Sequence, residues 1–189
     1  MLLRVIDIET TGTSPSEVIE IAAVDVIRSG GRWTAGPPRS RLFRPSGEIS
    51  VHAMAIHHLT LADLDAALGP ATDEAIAEFV LQAPAPDVLV AHNADFERRH
   101  LGRATGALPW LCTVKAAREL WPGAPGYGNQ VLRYWRRLEL DPALAMPAHR
   151  AAPDAWVTAH ILIDLLQCGG ALLDGAGLSA GPLALGRAA

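Results

Sequence analysis

Three β-type segments follow one another before the chain turns to strand–helix alternation, and that order leaves few folds open. Residues 2–8 (LLRVIDI) form a short apolar run rich in branched side chains, as expected of a central strand. After the turn TGTSPS, VIEIAAVDVI at 18–27 reads as a second strand with partial alternation. The stretch SGGRWTAGPP reads as a turn or loop by its Gly and Pro content, and a third strand near 40–44 (SRLFR) ends at Pro45.

Beyond residue 70 the periodicity changes. ATDEAIAEFVLQ at 71–82 predicts an amphipathic helix with Thr72 as its N-cap, and VLVAHN at 88–93 predicts a strand that leads into a helix at 94–104. A short strand at 111–113 continues into the helix TVKAAREL, closed by Trp121-Pro122-Gly123, and a further helix covers about 129–138. The last strong helix is expected to start at Pro153, a residue suited to the first helical position, and to run to Gly169. Consecutive strands followed by strand–helix alternation indicate an α/β fold, a mixed β-sheet flanked by helices. At 189 residues the chain suits a single domain with a buried core. That domain is expected over 1–168, and residues 169–189 form a Gly/Ala/Leu-rich C-terminal tail.

Composition excludes several classes. No apolar run approaches the roughly 18 uncharged residues that a membrane span requires. Acidic residues arrive before a signal-peptide core could form, and two cysteines are too few for a disulfide framework, so a cytoplasmic location is expected. A net charge of −4 is wrong for a protein that coats DNA through many phosphate contacts. A nuclease that holds only a strand end needs no more than a local basic patch, and basic residues do cluster at Arg98, Arg99 and Arg103 and at Arg133, Arg136 and Arg137.

Chemistry concentrates at three places. Asp7 and Glu9 are two residues apart at the end of the first apolar run, so on a strand both carboxylates project from one face. Adjacent carboxylates repel unless a cation neutralises them, and all-oxygen ligands suit Mg²⁺ or Mn²⁺. Thr10, Thr11 and Gly12 follow at once, small enough to let a substrate backbone approach. Asp154 falls in the first turn of the last helix, and His149 lies five residues before it in a Pro- and Ala-containing loop. An imidazole titrates near neutrality and can take a proton from water. At the third place, His92-Asn93-Ala94-Asp95-Phe96-Glu97 marks a strand-to-helix junction with two acids and Asn93 as a candidate cap. His52, His57 and His58 either line a cleft or decorate a surface turn, and His160 falls on a different helix face from Asp154.

Together the three segments resemble the exonuclease motifs of the DEDDh group of DnaQ-like 3′–5′ exonucleases, which have a ribonuclease H-like fold. DIETTG at 7–12 matches the first motif, HNADFE at 92–97 the second, and His149 with Asp154 the third. The second motif departs from the usual Asn-x-x-Phe-Asp: aligned on Asn93 and Phe96, Glu97 takes the acidic position, and Asp95 is the alternative two residues earlier.

The resemblance implies hydrolysis of phosphodiester bonds from 3′ ends with release of nucleoside 5′-monophosphates. Two divalent metal ions, Mg²⁺ or Mn²⁺, would be held by Asp7, Glu9, Asp154 and Glu97, with His149 as general base. Thr10, Thr11, Gly12, His57, Asn93 and Asn129 are the expected substrate contacts. The implied partners are DNA 3′ ends, with RNA ends as the alternative, and a polymerase or repair complex; no membrane is implied. Two other readings compete with a DNA exonuclease: an RNA-trimming exonuclease of the same fold, and a non-catalytic module that binds a polymerase or a strand end.

Overall fold

The computed structural model describes residues 1–12, 15–67 and 69–168. Its elements are β1 (Leu2–Thr10), β2 (Val18–Ser29), β3 (Arg32–Ala35), β4 (Arg39–Leu42), α1 (Val51–His57), a 3₁₀ turn (Ala62–Leu64), α2 (Asp73–Val80), β5 (Val88–Ala91), α3 (Ala94–Thr105), β6 (Trp110–Cys112), α4 (Thr113–Leu120), α5 (Asn129–Trp135), α6 (Pro142–Ala145) and α7 (Ala151–Cys168). The sheet runs β3-β2-β1-β5-β6, with β4 also pairing with β2. β1 is antiparallel to β2 and parallel to β5, so the sheet is mixed, as the segment order predicts. The expected tail at 169–189 lies outside the described residues.

Alternation along β1 sorts its side chains into two cores. Leu3 and Val5 pack with Val157, Ile161 and Leu162 of α7, whereas Ile6 and Ile8 pack with Ile76 and Phe79 of α2 and Leu101 of α3. The sheet is therefore the middle of three layers. Small residues at Ala151, Ala155 and Ala159, spaced four apart on one face of α7, let that helix lie close against the sheet. Each fully buried Leu or Ile contributes about 1.5–3 kcal/mol.

Several elements depart from the expectations. Gly30 and Gly31 have φ of 57° and 81°, both positive as a two-residue type I′ hairpin turn requires, so β2 turns directly into β3 where a loop was expected. Residues 51–57 form a helix, with the Ser50 hydroxyl accepting from the Ala53 N–H. The four-residue α6, capped by Asp141, was also not anticipated. α5 ends at Trp135, three residues early, and Arg137 follows with a φ of 55°. α7 begins at Ala151, two residues before Pro153, whose missing N–H costs nothing within the first turn. Thr72 does cap α2, accepting from the Ala75 N–H at 3.2 Å. Cys112 and Cys168 are both free, and no helix among the described residues is long and apolar enough to cross a membrane.

Candidate active site

The parity that sends Leu3 and Val5 to the α7 layer sends Asp7 and Glu9 the same way, at the end of β1 where the apolar run stops. Asp154 arrives from the first turn of α7. Ligand oxygens of Asp7, Glu9 and Asp154 all lie within 4.8 Å of one another. Asp154 is held by the His149 backbone N–H, which donates to Oδ2 at 3.0 Å, and by the Gln130 amide near Oδ1 at 3.5 Å.

Gathering these acids has an electrostatic cost. Burial, reinforced by the charges of Asp154, Glu9 and Glu97, raises Asp7 well above the usual carboxylate range. Glu9 is pushed up to about 8, first by burial and then by Asp154. Burial also raises Asp154, against the opposing hydrogen bond from His149. Such a cluster either keeps protons or takes up a cation.

Glu97 and Asp95 occupy different surroundings. Glu97, in the first turn of α3, is 4% exposed, its Oε2 has no hydrogen-bond partner among the described residues, and burial raises it to about 8. Its charge adds to the proton affinity of Asp7 and Glu9. Asp95 is exposed and paired with the Lys115 ammonium at 2.8 Å. An unpartnered buried oxygen beside three further carboxylates, with oxygen as the only donor type, fits hard divalent cations.

His149 is exposed, in the loop that enters α7, with a φ of 61°. Thr10 and Thr11 are buried at the end of β1, and Thr11 is fixed by its N–H to the Glu17 carbonyl at 2.9 Å. Gly12 has a φ of 139°, and a Cβ there would lie 2.5 Å from the Ser50 hydroxyl, so this turn admits only glycine. Beside it opens a largely apolar cleft of about 270 Å³, lined by Ile8, Glu9, Gly12, Ala53, Ile56 and Phe96.

Other expected contacts are engaged within the protein. The His57 Nδ1 accepts from the Leu59 N–H at 3.0 Å, which leaves Nε2–H to donate to the Thr10 carbonyl at 3.2 Å. His57 is thus a brace for the end of β1, although it also borders the cleft. The Asn129 amide donates to the Asp154 carbonyl at 3.1 Å and to the Thr158 hydroxyl at 2.7 Å, tying α5 to α7. Asn93 stands at the N-cap of α3, exposed, but its side chain makes no capping bond. His92 is braced between the Thr113 hydroxyl and the Tyr127 carbonyl, and burial drives it down to about 4. His160 packs edge-on against Trp156.

One pair near the cluster was not anticipated. Glu20, 3% exposed, sits opposite Glu9 in the β1–β2 register and accepts both arms of the Arg150 guanidinium, each at 2.9 Å. Its signal was available in the sequence as a lone acid inside the apolar run VIEIAAV.

The fold and this cluster define a nuclease, and the chain belongs to the exonuclease family: the RNase_T family model, described as exonuclease, matches residues 5–162. It is a 3′–5′ exonuclease, a hydrolase. Among curated relatives it is 40% identical to exodeoxyribonuclease 10 of Escherichia coli strain K12, over 89% of this chain and 70% of that protein. It is 31% identical to the DNA polymerase III subunit epsilon of Aquifex aeolicus, over 86% of this chain and 79% of that one. Among solved structures it matches exonuclease X in complex with 5′ overhanging duplex DNA, with a TM-score of 0.74 and 38% identity over 89% of this chain and 93% of that one. The segments RPSGEISVHAMAIHHLT at 44–60, LVAHNADFERRHL at 89–101 and CTVKAARELWPG at 112–123 already resemble exodeoxyribonuclease X, and the match agrees with them.

Proposed function

We propose that this chain removes nucleotides one at a time from DNA 3′ ends in the cytoplasm, releasing nucleoside 5′-monophosphates, with Mg²⁺ or Mn²⁺ as cofactor. The observation that carries this reading is the meeting of Asp7, Glu9 and Asp154 within 4.8 Å, beside the buried, unpartnered Glu97. Asp7, Glu9 and Asp154 would hold one cation, and Asp7 would be shared with a second that Glu97 supports. When bound, such a pair offsets the carboxylate charge and stabilises the attacking and leaving oxygens of the phosphodiester.

The protein's own groups do the rest. The His149 imidazole takes the proton from the attacking water. The water oxygen bonds to phosphorus, the bond to the 3′ oxygen breaks, and that oxygen takes up a proton from solvent, so the shortened strand ends in a 3′-hydroxyl. Thr10, Thr11 and Gly12 form the wall against which the terminal nucleotide rests, and the apolar cleft between Ile56 and Phe96 is suited to its base. Asn93, exposed at the N-cap of α3, is available to the strand. His57 and Asn129 serve it by bracing β1 and α7.

DNA rather than RNA is supported by the names of the relatives and by the DNA bound in the matching structure. A polymerase as partner is supported by the relative that is a polymerase subunit. The test is release of nucleotides from 3′-labelled DNA and RNA oligomers of matched sequence, with and without Mg²⁺ or Mn²⁺. Metal-dependent release of 5′-monophosphates, faster from DNA, is expected. Equal turnover in excess chelator would overturn the metal assignment, and preferential release from RNA would overturn the substrate.

A further inference from the structure

We propose that Glu20 and Arg150 are positioning residues, a clamp that fixes the His149-bearing loop to the strand pair carrying the acidic cluster. The inference rests on the reading of His149 as the base. Glu20 lies in β2 directly across from Glu9, and its side chain is on the α7 side of the sheet. Both of its oxygens are engaged: Oε1 accepts from Arg150 Nη2, and Oε2 accepts from Arg150 Nε at 2.9 Å and from the Ala151 backbone N–H at 3.0 Å. It is therefore a further carboxylate close to the cluster, and both of its oxygens are already taken by donors of the protein.

The three bonds land on the two residues that follow His149. The carbonyl of Arg150 in turn accepts from the Asp154 N–H at 3.0 Å, and the His149 N–H donates to the Asp154 carboxylate. A single chain of hydrogen bonds thus runs from β2 through Arg150 to Asp154 and back to His149. It refers base and carboxylate to the strands that supply Asp7 and Glu9. His149 itself is exposed and left-handed in φ, and its side chain makes no hydrogen bond among the described residues.

Stability alone does not account for the pair. An acid across from Glu9 adds repulsion where like charges oppose each other in an antiparallel ladder. Apolar side chains at positions 20 and 150 together would suit the apolar run of β2, since replacing a whole buried ion pair in this way is often neutral or stabilising. What an apolar side chain cannot supply is the fork geometry that sets Arg150 and Ala151 in register with β2.

The test is a kinetic double-mutant cycle on 3′-labelled single-stranded DNA at saturating Mg²⁺. Glu20→Gln keeps the shape and removes the charge; Arg150→Lys keeps the charge and removes the fork. Each is expected to lower kcat, by up to about 100-fold for a displacement near 1 Å, with KM little changed. In a His149→Ala background each should cost distinctly less, because the base they position is gone and only their hold on Asp154 remains. Rates per folded molecule are used, with folding followed by circular dichroism, and Arg150→Ala replaces Glu20→Gln if the latter does not fold. Wild-type kcat in the single variants, or an equal loss in both backgrounds, would overturn the clamp. Wild-type turnover by His149→Ala alone would instead overturn the assignment of the base.

Discussion

The His149 backbone N–H donates to Asp154 Oδ2 at 3.0 Å, so the imidazole that is proposed to take a proton and the carboxylate that is proposed to hold a cation are fixed to each other by main chain. The bond survives loss of the ring. His149→Ala should therefore lose most activity while keeping Mn²⁺ affinity by calorimetry. A parallel loss of affinity would mean that the ring itself is a ligand. The left-handed φ of 61° adds a second expectation. Left-handed backbone costs an L-residue roughly 1–2 kcal/mol, so His149→Gly should be inactive yet at least as resistant to thermal unfolding as His149→Ala.

Metal and pH should act on stability in opposite senses. Glu9 and Glu97 are both raised to about 8 in the metal-free protein, against an unfolded value near 4.3. Between those values the native state binds more protons than the unfolded chain, so stability falls as pH rises. The stabilisation is complete below about 4.3 and lost progressively up to about 8. Asp7 and Asp154, raised in the same direction, add to the trend. In chelator the melting temperature should drop from pH 5.5 to pH 8, and Mn²⁺ should remove most of that drop while releasing protons on binding. A metal-free protein with a pH-independent melting temperature across this range would show that the four acids do not share one desolvated site.

Glu97 and Asp95 should separate cleanly on mutation. Glu97→Ala removes a buried acid whose charge acts on Asp7 and Glu9, and it should abolish most turnover. Asp95→Ala removes one half of an exposed pair with Lys115, and exposed pairs contribute about 0–1 kcal/mol. Its activity should stay near wild type. The reverse ranking, measured as kcat on a labelled oligonucleotide, would move the second-motif role to Asp95.

The acids were legible because they depend on short periods. Residue parity alone puts Asp7 and Glu9 on one face of a strand, and the α7 acid follows from the helix start. The motif alignment on Asn93 and Phe96 points to Glu97, which is buried where Asp95 is exposed. What remained hidden depends on long-range contacts or on very short elements. The Gly-Gly turn was visible, but the strand beyond it carries only four residues, Arg32–Ala35, of mixed polarity. α1 spans two turns, too few for a helical period to show. His57 and Asn129 look like surface contacts in sequence because their partners, Thr10 and Thr158, lie 47 and 29 residues away. Glu20 and Arg150 are 130 residues apart, and no local pattern joins them.

Arg4 supplies the last expectation, on the opposite face of β1 from the acids. It is fully buried, and all five of its N–H donors are accepted: two by the Asp25 carboxylate at 2.6 and 2.9 Å, and three by the carbonyls of Val80, Gln82 and Pro84. The fork therefore joins β1, β2 and the segment that leads from α2 into β5. Removing one partner of such a pair leaves the other charge uncompensated, at a cost of about 3–5 kcal/mol. Asp25 is partly exposed and has Arg39 at 3.4 Å, so the penalty for Arg4→Ala falls more on the three orphaned carbonyls than on that charge. Lysine offers three donors from one point and cannot span carbonyls on both sides of Asp25, so Arg4→Lys should recover only part of the loss. Urea unfolding should show both variants destabilised in the order Ala before Lys. Turnover per folded molecule should remain that of the wild type, because Arg4 contacts neither the acidic cluster nor the loop that carries His149. A variant that folds stably but has lost turnover would show that strain at this end of β1 reaches Asp7 and Glu9.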